Sequence, residues 1–318
     1  MSAEYRFITD SEYDHDAIVR IGRAIRPDDF ISVASMRDWE ENQRRGNRFE
    51  GRWLATVSGS VVGSAEFGQV PWIGLENLYA HVMVHPDHQQ CGIGRALLER
   101  TETTAREHGA VRILSHADER EGRTIRFLER AGFDEIDRNW RSTLDLTEFD
   151  PSRWRADVDR VASSGVRIVS VASLAKTRPG WKRDLHRLYV QIGRDIPSVV
   201  AMTDISFDDF DATSLDRRSL EEGFLVAMDG ADIVGLSEPR SVDDDPSSVA
   251  QALTGVRADY RSRGIATALK AAAAIWAKEQ GYSSMRTFNA QSNTAMLAVN
   301  ERLGYEREHA QIEYAKSL

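Results

Sequence analysis

Two short stretches hold the residues best placed to do chemistry. Residues 89–98 read QQCGIGRALL, and residues 261–269 read RSRGIATAL. Gly92 and Gly94 flank one aliphatic residue in the first, as Gly264 and Ala266 do in the second, each at the mouth of an expected helix. A strand that runs through such a turn into a helix presents several free backbone N–H groups at the positive end of the helix dipole. That arrangement is an anion site, best suited to phosphate or diphosphate. Any tight strand-to-helix turn favours glycine, so one such stretch would say little, but two with the same flanks point to a ligand. Two carboxylates, Glu66 and Glu238, fall near the same strand end in both parts of the chain. They are candidates for moving a proton or anchoring an amine.

Other phosphate loops do not match. A GxxxxGK[ST] loop needs a lysine and a hydroxyl after its second glycine, and neither stretch has them. The dinucleotide fingerprint GxGxxG needs a third glycine, whereas Gly94 is followed by Arg95, Ala96 and Leu97. Cys91 lies in the turn itself, where the backbone faces the ligand, so a structural role is expected for its thiol.

The elements around these loops are written twice. Ile21-Gly22-Arg23 returns as Ile192-Gly193-Arg194, and WLATVSGSVVG, ending at Gly63, returns as FLVAMDGADIVG, ending at Gly235. Gly92 pairs with Gly264, and Gly132-Phe133 with Gly304-Tyr305, all at an offset of 171 or 172 residues. Solenoid repeats are shorter, so a whole domain is duplicated. The expected division is 1–150, a polar linker at 151–165, and 166–318. Each copy reads as strand, helical region, hairpin, strand, helix, strand, helix, strand. Ser58-Gly59 and Asp229-Gly230 read as the hairpin turns. Gly109 and Gly281 read as left-handed helix caps. The fold class is α+β (mixed α/β), two tandem domains, each with a mixed, mostly antiparallel sheet flanked by helices.

At 318 residues the chain suits two domains. No apolar run approaches the roughly 20 residues of a membrane helix, and the start shows no basic segment leading into an apolar one. A single cysteine fits a reducing cytoplasm. A net charge of −9 disfavours nucleic acid, which needs a basic face, and leaves small molecules or proteins as partners.

The pattern Gln/Arg-x-x-Gly-x-Gly/Ala, with VMVHPDHQQCGIGRALLE and TGVRADYRSRGIATALK around it and FLERAGF and VNERLGY downstream, resembles the GNAT superfamily of acetyl-CoA-dependent N-acetyltransferases. The resemblance covers nearly the whole chain as a tandem pair. It implies acetyl-CoA as cofactor, no metal, and an amine of a small molecule or peptide as acceptor. It implies that Val82, Met83 and Val84, and Thr254, Gly255 and Val256, bond the pantetheine arm through their backbone. The loops that follow would hold the diphosphate. In the first copy these are Gln89, Cys91, Gly92, Ile93, Gly94 and Arg95. In the second they are Arg261, Arg263, Gly264, Ile265, Ala266 and Thr267. Asn289 and Asn293 match asparagines that contact the CoA arm in this superfamily, and equally suit turn chemistry at a strand end. The first copy has Glu121 where the second has Asn293.

Acetyl transfer needs a neutral amine, and an alkylamine is neutral in roughly one molecule in 2,500 at pH 7. A base supplies part of that deficit, and the departing thiolate wants a proton. Many members of the superfamily place a tyrosine four residues before the Gly-aromatic pair, where this chain has Leu128 and Asn300. Many place a base glutamate where it has Leu78 and Ala250. Glu66 and Glu238 are the expected substitutes, with Glu76, His81, His116, Tyr260 and Tyr305 nearby. The segment after the first helix roofs the acceptor in this superfamily; here it carries residues 26–30 with Trp39, Glu40 and Glu41, and in the second copy residues 204–211. Those acidic residues suit a cationic amine or simply form a solvated face. The reading is an acyltransferase with one copy that has lost function, the second copy slightly favoured as cofactor binder. A non-catalytic CoA-binding module is the alternative, because the usual acid and base are missing.

Overall fold

A computed structural model describes residues 3–318, apart from residues 10, 27–31, 47, 71, 199, 201 and 244. The first copy contains β1 (Glu4–Phe7), α1 (Glu12–Ile25), α2 (Val33–Arg45), β2 (Glu50–Val57), β3 (Ser60–Gly68), β4 (Asn77–Val84), α3 (Ile93–Glu107), β5 (Arg112–Asp118), α4 (Gly122–Arg130) and β6 (Asp134–Asp145). After α5 (Ser152–Ser163) the order repeats with β7 (Val166–Ser170), α6 (Val171–Thr177), α7 (Trp181–Arg194), α8 (Phe207–Ser214), β8 (Leu225–Asp229) and β9 (Asp232–Ser241). It closes with β10 (Ser248–Val256), α9 (Ile265–Glu279), β11 (Ser284–Ala290), α10 (Thr294–Leu303) and β12 (Glu306–Ser317).

Serine oxygens start four of the helices. Ser11, Ser32, Ser170 and Ser206 each accept the N–H three residues on, satisfying a donor that the first turn leaves open. α3 and α9 instead start on Gly92 and Gly264 with no side-chain cap. Both helices end at left-handed glycines, Gly109 (φ +78°) and Gly281 (φ +87°), as their positions suggested.

The chain divides into two compact units, Met1–Asp137 with Ile312–Leu318, and Arg138–Gln311. This differs from the division expected at 150 and 165. Residues 139–145 of β6 pair antiparallel with β11, from Asn139 opposite Ala290 to Asp145 opposite Ser284, and so belong to unit 2. Residues 151–165 are no linker: α5 buries Trp154 and Val161 in the same core as α9. The end of β12 goes to unit 1, where Ile312 and Tyr314 pack with Leu78, Leu98 and Phe133.

Within unit 1 the strand order is β1-β2-β3-β4-β5-β12, and within unit 2 it is β7-β8-β9-β10-β11-β6. β4/β5 and β10/β11 are parallel pairs, while the hairpin strands pair antiparallel. Alternation along β8 shows the layering of unit 2. Leu225 and Ala227 face the alanine-rich side of α9, and Val226 and Met228 face Leu185, Leu188 and Ile192 of α7. Unit 1 has α3 over one set of strand residues and α1 with α2 over another.

Tyr314 is 1% exposed, so Tyr314→Ala should cost unit 1 about 3–5 kcal/mol, as large-to-small core changes do. In limited proteolysis, new cuts are expected in unit 1 while unit 2 stays resistant. Equal resistance of both units would contradict this assignment of the closing strand.

Candidate active site

The two glycine loops have the same backbone. Gln90 and Gly92 are left-handed at φ +61° and +81°, and Ser262 and Gly264 at +61° and +78°. Two left-handed residues with one between them turn successive N–H groups toward one concavity, which continues into an uncapped helix N-terminus. A Cβ on Gly92 or Gly264 would meet nothing within 4 Å, so glycine is needed there for its backbone angle and the space beside it stays open. At Gly94 a Cβ would make only ordinary contact with Phe127 and Val84, which is why Ala266 serves in its place.

The side chains of the flanking residues make contacts that tie the loop down. The Gln89 amide donates to the Val84 carbonyl at 3.0 Å, and Arg261 Nε to the Val256 carbonyl at 3.2 Å. Each ties its loop to the last residue of the strand before it. Arg261 also pairs with Asp195, Arg95 with Glu99, and Arg263 donates to the Asp259 carbonyl and lies over Tyr260. Ile93 and Ile265 are core anchors of the first helical turn. Cys91 is exposed, and its thiol donates to the Gln89 carbonyl.

Beside each loop two parallel strands part. β4 pairs with β5 only from Asn77 to Tyr79, and β10 with β11 only from Ser248 to Gln251. Beyond those residues Val82, Met83 and Val84, or Thr254, Gly255 and Val256, have no neighbour on that edge. Apart from the Val84 and Val256 carbonyls held by Gln89 and Arg261, the backbone groups on that open edge suit an extended ligand bearing amides.

The two clefts then differ. In unit 1 the β3/β4 register runs unbroken from Gly63 opposite Val84 to Gly68 opposite Tyr79. In unit 2 the β9/β10 register shifts between Gln251 and Leu253, so Ala252 is an extra residue in the strand. Such a bulge bends the strand and leaves backbone groups unpaired where the cleft opens. Across the cleft of unit 1, His81 stacks on His116 with ring centroids 5.3 Å apart. Burial, then His116 and Arg26, push the His81 imidazole down to about 3, so it stays neutral and is no proton donor near pH 7. Glu121 forms an ion pair with Arg26. In unit 2 the corresponding residues are Leu253 and Phe288, and Asn293 takes the place of Glu121.

Asn293 caps α10, its side-chain oxygen accepting the Met296 N–H at 3.3 Å, which is the turn chemistry foreseen for it. Asn289 Oδ1 accepts from Asn300 Nδ2 at 2.7 Å. Asn300 is buried, and its own Oδ1 has no partner.

The paired carboxylates sit in different surroundings. Glu66 accepts from Arg52 Nε at 2.9 Å, and Arg52 also pairs with Glu40, which meets His15 at 3.0 Å. That is a buried network tying β2, β3, α1 and α2 together, and it also absorbs Glu40 from the segment expected to roof the acceptor. Glu238 is 1% exposed and lies opposite Leu253, beside the bulge. It accepts from Arg240 Nη1 at 2.8 Å and from the Tyr189 hydroxyl at 3.1 Å. Burial raises its pKa, outweighing the opposing pull of Arg240 and Tyr189. Arg240 is itself shared with Asp216.

The other candidates scatter. Glu76 accepts from the Asn77 amide, Tyr260 donates to Asp229, and Tyr305 is buried. Asp204 pairs with Arg194, and Asp211 with Lys182. Residues 27–30 lie outside the described residues. The sequence reading missed Tyr189, Arg240 and Lys270. Only Lys270 left a signal, a lone cation in the otherwise apolar run ALKAAAAIW.

A family model described as Acetyltransferase (GNAT) family matches residues 19–133 and again 184–305. A mycothiol acetyltransferase of Actinosynnema mirum is 27% identical over 256 residues, 75% of each chain. A GCN5-related N-acetyltransferase of Sphaerobacter thermophilus superposes with a TM-score of 0.72 at 19% identity, covering 99% of this chain and 95% of that one. A tandem GNAT protein of the clavulanic acid biosynthesis pathway gives 0.73 at 17% identity, covering 99% and 98%. Among the described residues, no helix is long and apolar enough to cross a membrane.

Proposed function

The chain belongs to the GNAT acetyltransferase family and is an acetyltransferase, and on that premise we propose that unit 2 holds acetyl-CoA and does the chemistry while unit 1 has lost it. The observation that carries this reading is the register break at Ala252, present in β10 and absent from β4. Its unpaired backbone groups and the orphaned Asn300 Oδ1 are what an amide-bearing arm would satisfy. In unit 1 the stacked His81 and His116 stand across the corresponding cleft, and Glu121, in the place of Asn293, is tied up in an ion pair with Arg26.

Acetyl-CoA, when bound, supplies an acetyl group activated as a thioester. The N–H groups of Arg263, Gly264, Ile265, Ala266 and Thr267 hold its diphosphate, and Thr254, Gly255 and Val256 align its arm. Asn289 and Asn293 border the same cleft, their side-chain oxygens already committed to Asn300 and Met296. Glu238 takes the proton from the acceptor amine at a carboxylate made more basic by burial, and Tyr189 orients it. Glu66, held in the Arg52 network, is left with a structural role. The acceptor is an amine of a small molecule or peptide, and the name of the mycothiol acetyltransferase relative favours the small molecule. A single cysteine fits a cytoplasmic enzyme.

The test is release of free CoA thiol from acetyl-CoA across a panel of small-molecule and peptide primary amines. Turnover with at least one amine, lost in Gly264→Asp, is expected. Tight acetyl-CoA binding with no turnover on a broad panel would overturn the catalytic reading of unit 2.

A further inference from the structure

Asn300 stands where a hydroxyl donor would serve the leaving group, and an amide is a very poor acid. A different group lies close by. Lys270, on α9, is 1% exposed, and its Nζ lies 4.9 Å from the centroid of the Tyr305 ring. No carboxylate among the described residues pairs with it. The Tyr305 hydroxyl and Asn300 Oδ1 are both buried without a hydrogen-bond partner. The Tyr305 N–H donates to the Asn300 carbonyl at 3.0 Å, so these two residues are fixed together at the end of α10.

The duplication shows where this cluster faces. Its counterparts 172 residues earlier are Leu98, Leu128 and Phe133. In unit 1 those three line a single pocket with Ala80, His81 and Val82, at the point where β4 and β5 part. What is an apolar floor in unit 1 is an amine, an amide and a phenol in unit 2. Placing an unpaired amine in such a floor costs stability, and packing gives no reason for it.

We propose that Lys270 is the proton donor to the departing CoA thiolate in unit 2, in place of the hydroxyl that Asn300 does not offer. This rests on unit 2 being the acetyl-CoA site. The acceptor nitrogen forms the new C–N bond and the C–S bond breaks with its electron pair left on sulfur. The proton on Lys270 Nζ moves to that sulfur, and the surplus proton on nitrogen leaves toward Glu238. Lys270 then regains a proton from solvent. Burial alone lowers the Lys270 amine to about 7. A thiol near 8.5 is the weaker acid, so the transfer runs downhill, which it would not from an ordinary lysine near 10.4. Tyr305, the titratable group facing it from the end of α10, is pushed up by burial and keeps its proton. No charge on α5, β8, β9, β10 or α10 acts on the amine.

The test compares binding of free CoA and desulfo-CoA, which lacks the sulfur, to the wild-type chain and to Lys270→Met. Leu98 shows that an apolar side chain fits this floor. Hydrogen bonds involving a charged group support roughly a tenfold preference, so at pH 7 wild type should bind CoA about tenfold more tightly than desulfo-CoA. Lys270→Met should bring the two within about twofold. A preference that survives the substitution, or a wild type that binds both equally, overturns the proposal. If wild type binds neither, the assignment of acetyl-CoA to unit 2 is what fails. Thermal unfolding supplies a second measurement. Between about pH 7 and 10 the unfolded lysine binds more proton than the folded one, so wild-type stability should rise with pH there. Lys270→Met should flatten that rise, and an unchanged slope would show that the amine is not held as described.

Discussion

Gly264→Asp is expected to weaken acetyl-CoA binding at least 100-fold by calorimetry, while Gly92→Asp should leave it intact. Both glycines are left-handed helix caps with open space beside them, so the two substitutions cost the fold alike. Aspartate is among the residues that tolerate this backbone region best, and a small stability loss with retained structure is expected for each. The difference lies in the ligand. A carboxylate set about 4 Å from a phosphate repels it by about 4 kcal/mol at a surface-like dielectric, and it obstructs the N–H groups as well. That is about a thousandfold in affinity. The reverse pattern, binding lost in Gly92→Asp and kept in Gly264→Asp, would move the cofactor to unit 1.

Glu238→Gln is expected to lower kcat by at least about 100-fold with little change in KM for acetyl-CoA, once an accepting amine is in hand. The substitution keeps size and shape and removes the basic oxygen, and general bases are worth about 10²–10⁴-fold. Arg240 retains Asp216 as a partner, so the fold should survive. The pH profile adds a sharper reading. The carboxylate acts when deprotonated and its pKa is raised, so wild-type activity should rise with pH through a value above the ordinary carboxylate range. That limb should vanish in the variant. An unchanged kcat would return Glu238 to a purely structural ion pair with Arg240.

Much of this architecture was readable from the chain because it depends on local backbone rules. Gly92, Gly109, Gly264 and Gly281 announce left-handed positions, and hairpin and helix order follows from period and caps. The glycine pattern, repeated at a constant offset, also named the family. The register break was hidden for an arithmetic reason. The spacing from Glu66 to Val84 equals that from Glu238 to Val256, so the residue added in β10 is compensated by a shorter connection before it. No pattern of identities reports which residue of a strand goes unpaired.

Side-chain surroundings were also settled in space. Glu66 and Glu238 occupy matching places in sequence, yet one joins Arg52 and Glu40 while the other is enclosed beside Tyr189. Gln89 and Arg261 carry the motif but tie down the loop, because their reach back to Val84 and Val256 is set by the turn.

The sequence by itself determined two copies of one strand–loop–helix turn, because backbone conformation at glycine is a local property. Tertiary structure alone decided which sheet each closing strand completes, since a strand can add to either of two edges with equal local satisfaction. It also decided that Lys270 is buried without a carboxylate, because the surroundings of a side chain come from elements far away in the chain.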